Sequence, residues 1–328
     1  MQMKLLDVLA CPKCGNALAC TATESESTQE IVTGHLDCEK CGQRYPIEAG
    51  IPRFVPSDNY AASFGYQWNK FRLEQIDSNN GTRLSTDRFY SETGLTKEWL
   101  KGKWVLDSGC GAGAFLDVAS QSECEIVGMD ISNAVDAAKA NLAGRPRVHF
   151  VQASIYEPPF RAGAFDACYC IGVIQHTPDP RGAMMALPRL LKKGGLIAVT
   201  IYERKPWTRL HSKYLLRPLA KRLDKRLLLL LIRGVMPIVF PFTEIGFRLP
   251  LAGRLLQFAI PIANYVDQPG LNLRQRYQWA VLNTFDMLSP QYDQPQTEKE
   301  AREALAAADI IELQRLPNSG LNMVGRRA

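Results

Sequence analysis

Residues Val105 to Phe115 read Val-Leu-Asp-Ser-Gly-Cys-Gly-Ala-Gly-Ala-Phe, an apolar run that ends in a glycine-rich turn and opens a helix. A strand, a tight glycine turn and a helix in that order form the first half of a right-handed βαβ unit. Such a unit commits the chain that follows to a parallel sheet with helices on both faces. Short apolar runs at 104–107, 125–130, 148–151, 165–171 and 195–201 alternate with helical stretches at 114–120 and 133–143, as that fold requires. The alternation stops after Ile201 for about 85 residues. It resumes with a helix at 297–307 and strands at 310–316 and 321–325, joined by Pro317-Asn-Ser-Gly320 into a hairpin that closes the sheet. The expected class is α/β.

Gly109 and Gly111 permit the tight turn and let a ligand approach the backbone, while Gly113 lets the helix pack closely. Asp130 follows Gly109 by 21 residues, at the end of the second strand, where a carboxylate binds both hydroxyls of a ribose. The ligand expected is therefore a nucleoside. Gly109-x-Gly111-x-x-Ala114 also satisfies the dinucleotide fingerprint. Asp107 decides against a dinucleotide, because a carboxylate two residues before the first glycine faces the pyrophosphate and repels it. The same carboxylate suits a cationic amino-acid tail and a sulfonium, which is S-adenosylmethionine.

Cys11-Pro-Lys-Cys14 and Cys38-Glu-Lys-Cys41 are separated by 23 residues. Each pair grips a metal on a tight turn, and four thiolates complete a tetrahedral shell with no open position, so a zinc ion here is structural. The polar stretch 21–29 reads as a solvated hairpin tip, and Ile51-Pro-Arg-Phe-Val-Pro56 closes the unit. Over residues 1–56 there are five basic and seven acidic side chains, a poor balance for a nucleic-acid finger. No long apolar core of a secretory signal opens the sequence. Metal-type cysteine spacing adds the expectation of a reducing, cytoplasmic setting.

The segment from 101 to 204, with 290–328, resembles the class I S-adenosylmethionine-dependent methyltransferases, and the ribbon is similar to that of the tRNA-methyltransferase-activator family. The resemblance implies a seven-stranded Rossmann-like sheet of order 3-2-1-4-5-7-6 with an antiparallel last strand. It places Asp107 near the methionine end of the cofactor, with the Gly109, Cys110 and Gly111 backbone beside it. Asp130 would take the ribose hydroxyls and Ile131 would pack on the adenine. The family's third motif is usually Gly-Asp; here Gln152-Ala-Ser-Ile155 stands in its place, so Ser154 would substitute for the acid with Ile155 beside it. Ile171 opens the loop Ile171-Gly-Val-Ile-Gln-His-Thr-Pro-Asp179, which in similar small-molecule enzymes lines the transfer site, and His176 on it is the candidate base. Asp286 and His211 are weaker candidates for that role. Tyr66 and Trp68 in Phe64-Gly-Tyr-Gln-Trp68 read as core aromatics in preference to a lid.

Four segments follow: a ribbon at 1–56, an aromatic helical linker or lid at 57–100, a core at 101–204 and 290–328, and a helical substrate cap inserted at 205–289. Between Arg204 and Arg233 there are ten basic residues and one acid, so this stretch carries all of the chain's positive excess of +6, together with the run Leu227–Ile232. Basic and apolar residues together suit an anionic membrane surface or a greasy acceptor. Pro237, Pro241 and Pro250 are expected to break any single helix there, and no apolar run reaches the ~18 residues of a membrane span. The leading function is O-methylation of a small or lipid-linked metabolite, of sugar or isoprenoid type, by a cytoplasmic protein peripheral to the inner membrane face. The runner-up is an RNA base methyltransferase, for which the basic stretch argues and the acidic ribbon does not. A third reading, a non-catalytic protein that only binds the cofactor, sits poorly with intact Asp107 and Asp130.

Overall fold

A computed structural model describes residues 1–27, 30–56, 58–266, 268–318 and 320–328. Its N-terminal unit is an antiparallel sheet, in the order β1 (Ala19–Ser27), β2 (Glu30–Asp37), β3 (Arg44–Glu48) and β4 (Ile51–Pro52). The stretch read as a hairpin tip is mostly strand: β1 runs to Ser27, and residues 28 and 29 lie outside those described. Four helices follow: α1 (Ala62–Lys70), α2 (Asp77–Asn80), α3 (Leu84–Thr93) and α4 (Lys97–Leu100).

The larger sheet begins with β5 (Trp104–Ser108) and continues through α5 (Ala114–Ala119), β6 (Glu125–Asp130), α6 (Ala134–Asn141), β7 (Val148–Gln152), β8 (Phe165–Ile171), α7 (Pro180–Ala186) and β9 (Leu191–Ile201). After the insertion come α12 (Glu298–Ala306), β10 (Ile310–Arg315) and β11 (Leu321–Arg327). The order across the sheet is β7-β6-β5-β8-β9-β11-β10, with β11 antiparallel to both neighbours. Counted from β5, that is the expected 3-2-1-4-5-7-6. Strand β9 starts four residues earlier than its apolar run, because the exposed Lys192-Lys-Gly stretch still belongs to the strand.

Successive strand residues point to opposite faces. Val105, Ile126 and Ala167 enter one core with α3, α5 and α6, while Leu106, Val127 and Cys168 enter the other with α7 and α12. The second core also contains Leu5, Leu9, Leu36 and Ile47, so the ribbon shares one apolar interior with the sheet. At the β7 edge the chain leaving β4 joins the sheet, where the Phe54 amide donates to the Gln152 carbonyl at 2.8 Å.

The insertion holds α8 (Lys213–Ala220), α9 (Lys225–Gly246), α10 (Ala252–Ala259) and α11 (Leu273–Leu288), around a third core that includes Leu228, Met236, Phe240, Leu282 and Phe285. One expectation holds only in part here. Helix α9 continues through Pro237 and Pro241, both of which are exposed, while Pro250 falls in the break between α9 and α10. An 18-residue stretch of this 22-residue helix has mean hydropathy 1.8, so α9 is by length and composition long and apolar enough to cross a membrane, although a third of that stretch is buried in the protein. Arg276 anchors α9 to α11 through a two-pronged pair with Glu244, both contacts at 2.7 Å. The buried Arg217 anchors α8 by donating to the carbonyls of Met287 and Pro290.

Candidate active site

The four ribbon sulfurs lie within 4.8 Å of one another, with Cys11–Cys41 at 3.6 Å and Cys14–Cys38 at 3.4 Å. A tetrahedral zinc with bonds near 2.3 Å separates its sulfurs by about 3.8 Å, so the cluster fits that ion. The two pairs are built alike. Cys11 and Cys38 each accept an amide four residues on, from Gly15 and Gly42, and each donates its own amide to the carbonyl five residues on, in Asn16 and Gln43. The Asn16 backbone amide helps to hold the Cys14 thiol down to about 6.

In the glycine turn, Gly109 has φ +89°, and a Cβ there would lie 2.4 Å from Val173 Cγ2, so only glycine fits. At Gly111 a Cβ would meet the indole nitrogen of Trp68 at 3.2 Å, which shows how closely α1 covers the loop. Asp130 ties the loop down. One of its oxygens accepts the Gly111 amide at 3.0 Å, and the other accepts the Ser132 amide and hydroxyl at 2.8 and 2.7 Å. Burial raises the Asp130 carboxyl above the usual range, and these donors oppose the rise.

A cavity of about 1230 Å³ opens over the loop. Gly109, Cys110, Gly111, Asp130, Ile131, Ile155, Ile171 and His176 all line it. Two expected residues do not. Ser154 turns its hydroxyl to accept the Tyr156 amide at 3.2 Å, within the turn after β7, and is not among the lining residues. Asp107 lies one layer beneath the lining residue Ser108, beside the Tyr169 hydroxyl, with burial pushing its carboxyl well above the ordinary range. Its Oδ2 is buried and has no hydrogen-bond partner among the described residues. Trp68 lines the cavity, contrary to its reading as plain core, whereas Tyr66 packs on Phe285 at 5.9 Å as a core residue should.

Residues 106–199 match the family model described as a methyltransferase domain, and residues 2–50 match the one described as Trm112p-like protein. The chain joins a methyltransferase domain to a Trm112p-like ribbon. Similar proteins include an uncharacterized protein of Synechococcus, 34% identical over 30% of this chain and 25% of its own length. The ubiquinone biosynthesis O-methyltransferase of Alkalilimnicola ehrlichii is 32% identical over 37% of this chain and 52% of its own length. The chain thus spans between a quarter and about half of these curated relatives. Among solved structures, the complex containing the Haloferax volcanii Trm112 methyltransferase activator aligns over 83% of this chain and 98% of its own, at 13% identity and a TM-score of 0.46. Human N-acetylserotonin methyltransferase in complex with SAM aligns over 84% and 60%, at 17% identity and a TM-score of 0.43.

The larger cavity has Asp130 at the end of β6 and apolar walls from Ile131 and Ile155, and it overlies the buried Asp107 carboxyl. Beyond this cavity lies a smaller one of about 390 Å³, lined by Trp207, His211, Lys213 and Phe258 of the insertion. The two cavities share His176, Tyr202, Tyr265, Asn283 and Asp286. His176 Nδ1 lies 3.0 Å from the Tyr292 carbonyl and so carries the proton it donates there, which leaves Nε2 as a free acceptor. Phe64 and Tyr202 clamp the ring at 5.1 and 5.4 Å. Burial pushes the His176 imidazole below its ordinary value, against the pull of Asp286, and pushes Asp286 up. Gln67 of α1 donates to Asp286 at 3.1 Å. The sequence ranks Asp286 and His211 behind His176. The structure brings all three to the smaller cavity, and Asn283, Tyr202 and Tyr265, which no motif marked, complete the passage.

Proposed function

We propose that the protein transfers a methyl group from S-adenosylmethionine, held in the larger cavity, to a hydroxyl of a small or lipid-linked acceptor, of sugar or isoprenoid type, held in the smaller one. The observation that carries this reading is the meeting of the two cavities at His176, with its Nε2 unoccupied. When bound, the cofactor supplies a methyl group on a cationic sulfonium, open to in-line attack. Asp107 offsets the positive charge through the loop, Asp130 holds the ribose hydroxyls, and Ile131 and Ile155 wall the adenine. Trp68 and Phe64 keep water from the loop. His176 takes the acceptor's proton on Nε2 while Tyr292 fixes the ring, so the proton leaves as the new bond forms. The ribbon holds zinc through Cys11, Cys14, Cys38 and Cys41 as a structural brace. The setting is the cytoplasm.

Incubation with methyl-labelled S-adenosylmethionine and a cell extract tests this reading. Label should enter the organic-extractable or small-metabolite fraction. Label confined to RNA and lost at high salt would replace this reading with RNA base methylation.

A further inference from the structure

Helix α9 is apolar on two opposite sides. Leu228, Ile232, Met236 and Phe240 face the third core, while Leu230, Val235, Ile238, Phe242 and Ile245, spaced at helical intervals, are all at least half exposed. An α9 of 22 residues extends for about 33 Å. Neighbouring helices continue the exposed surface: Leu215 and Leu219 on α8 are 80% and 67% exposed, and Leu255 on α10 is 72% exposed. An apolar face of this extent is far larger than scattered surface leucines explain. Across 204–254 the chain has twelve basic residues and two acidic ones, and one of those acids, Glu244, is already paired with Arg276 and Arg248. Arg222, Arg226 and Arg254 on the same segments are exposed, whereas Arg233 lies over the Phe71 ring.

We infer that α8, α9 and α10 form an in-plane docking face for an anionic lipid bilayer, and that the acceptor is an amphiphile drawn from that bilayer into the smaller cavity. Leucines sink into the acyl boundary while the exposed arginines on the same segments reach the headgroup anions. Helix α9 lies flat and does not span, because its inner side is packed on the protein along its length and Glu244 is locked to Arg276. A second copy of the chain does not suit the face, since two such surfaces would bring like charges together. The smaller cavity lies at this surface. Its lining residues Trp207 and Phe258 belong to the segments that carry exposed Leu210 and Leu255, and the Ser212 amide, at the start of α8, donates to the Phe258 carbonyl at 3.2 Å. The nature of the acceptor rests on the function proposed above. The docking itself does not.

Co-sedimentation of the full chain with phosphatidylglycerol–phosphatidylcholine vesicles, and with phosphatidylcholine alone, tests the docking. Binding should favour the anionic vesicles and weaken in high salt. Arg222→Gln with Arg226→Gln should reduce it by roughly tenfold or more, and Ile238→Asp with Phe242→Asp should abolish it. Unchanged affinity for S-adenosylmethionine and an unchanged far-UV spectrum show that these variants remain folded. Equal binding to both vesicle types, retained binding by the aspartate variant, or a dimer in ultracentrifugation that this variant dissolves would each overturn the inference. Vesicle binding by a chain that fails to bind S-adenosylmethionine would leave the docking standing and remove the proposed function.

Discussion

The Asp130 carboxylate accepts the Gly111 amide at 3.0 Å, so the acid that ends β6 also pins the glycine turn that follows β5. Its other oxygen holds both the amide and the hydroxyl of Ser132, at the entry to α6. Asp130→Ala strips three donors of their acceptor at once. The free protein should lose about 1–3 kcal/mol of stability, read as a lower urea midpoint with an unchanged slope.

Asp107 is a buried carboxyl one layer beneath the glycine loop. Its folded-state pKa lies above its value in the unfolded chain. Its contribution to stability is therefore present below the ordinary aspartate pKa of about 3.9, and it is lost as pH rises through the raised value. Asp107→Asn should raise the melting temperature of the free protein at pH 8 and narrow its difference from pH 5. The same change should weaken S-adenosylmethionine by roughly tenfold or more, since a cation loses its buried counter-charge. Calorimetry with and without ligand reads both effects.

The direction of the His176 shift sets the pH profile. Its imidazole is held below the ordinary value of about 6.5 by burial, so Nε2 is free at neutral pH and protonates only on acidification. The acid limb of kcat for the methylated acceptor should lie below pH 6.5, with a flat region above it. His176→Gln should lower kcat by about 100-fold or more and remove that limb, with little change in S-adenosylmethionine affinity.

The parallel run of the large sheet was legible because β5 to β9 are apolar runs separated by helical stretches, whereas its order and its antiparallel last strand came from the resemblance carried by the glycine loop and Asp130. The Cys-x-x-Cys pairs were equally plain, since their spacing is itself the geometry. Ser154 lies off the cavity lining because a motif position says which residue follows β7 and nothing about where the turn aims it. Gln152, beside it, shows what took over: its side chain accepts from Arg53 at 2.7 Å and donates to the Ile131 carbonyl and Asn133, joining ribbon and sheet beneath the cavity. Trp68 gave no periodic signal, because a single aromatic on a short helix reads the same whether it faces core or ligand. Pro237 and Pro241 misled for a related reason: whether proline breaks a helix depends on which side it occupies, and only packing decides that.

Ribbon and sheet share one core, so the metal should support both. Chelation of zinc, or Cys14→Ser, removes a contribution that in small zinc domains is on the order of 10 kcal/mol. Residues 1–56 should become sensitive to protease, the far-UV spectrum should change, and the melting temperature of the entire chain should fall, because Leu5, Leu9 and Leu36 leave the interior they share with Leu106. A chelated protein with unaltered protease pattern and melting temperature would rule out the structural metal.

Titration of S-adenosylmethionine into the full chain and into Asp130→Ala is the most direct test of the cofactor site on which the proposed function depends. The native chain should bind one equivalent, displaceable by S-adenosylhomocysteine, and Asp130→Ala, at a temperature where it remains folded, should show no measurable binding. No binding to the native chain, or the same affinity in both proteins, would contradict the assignment of the glycine loop and Asp130 as the site of the cofactor.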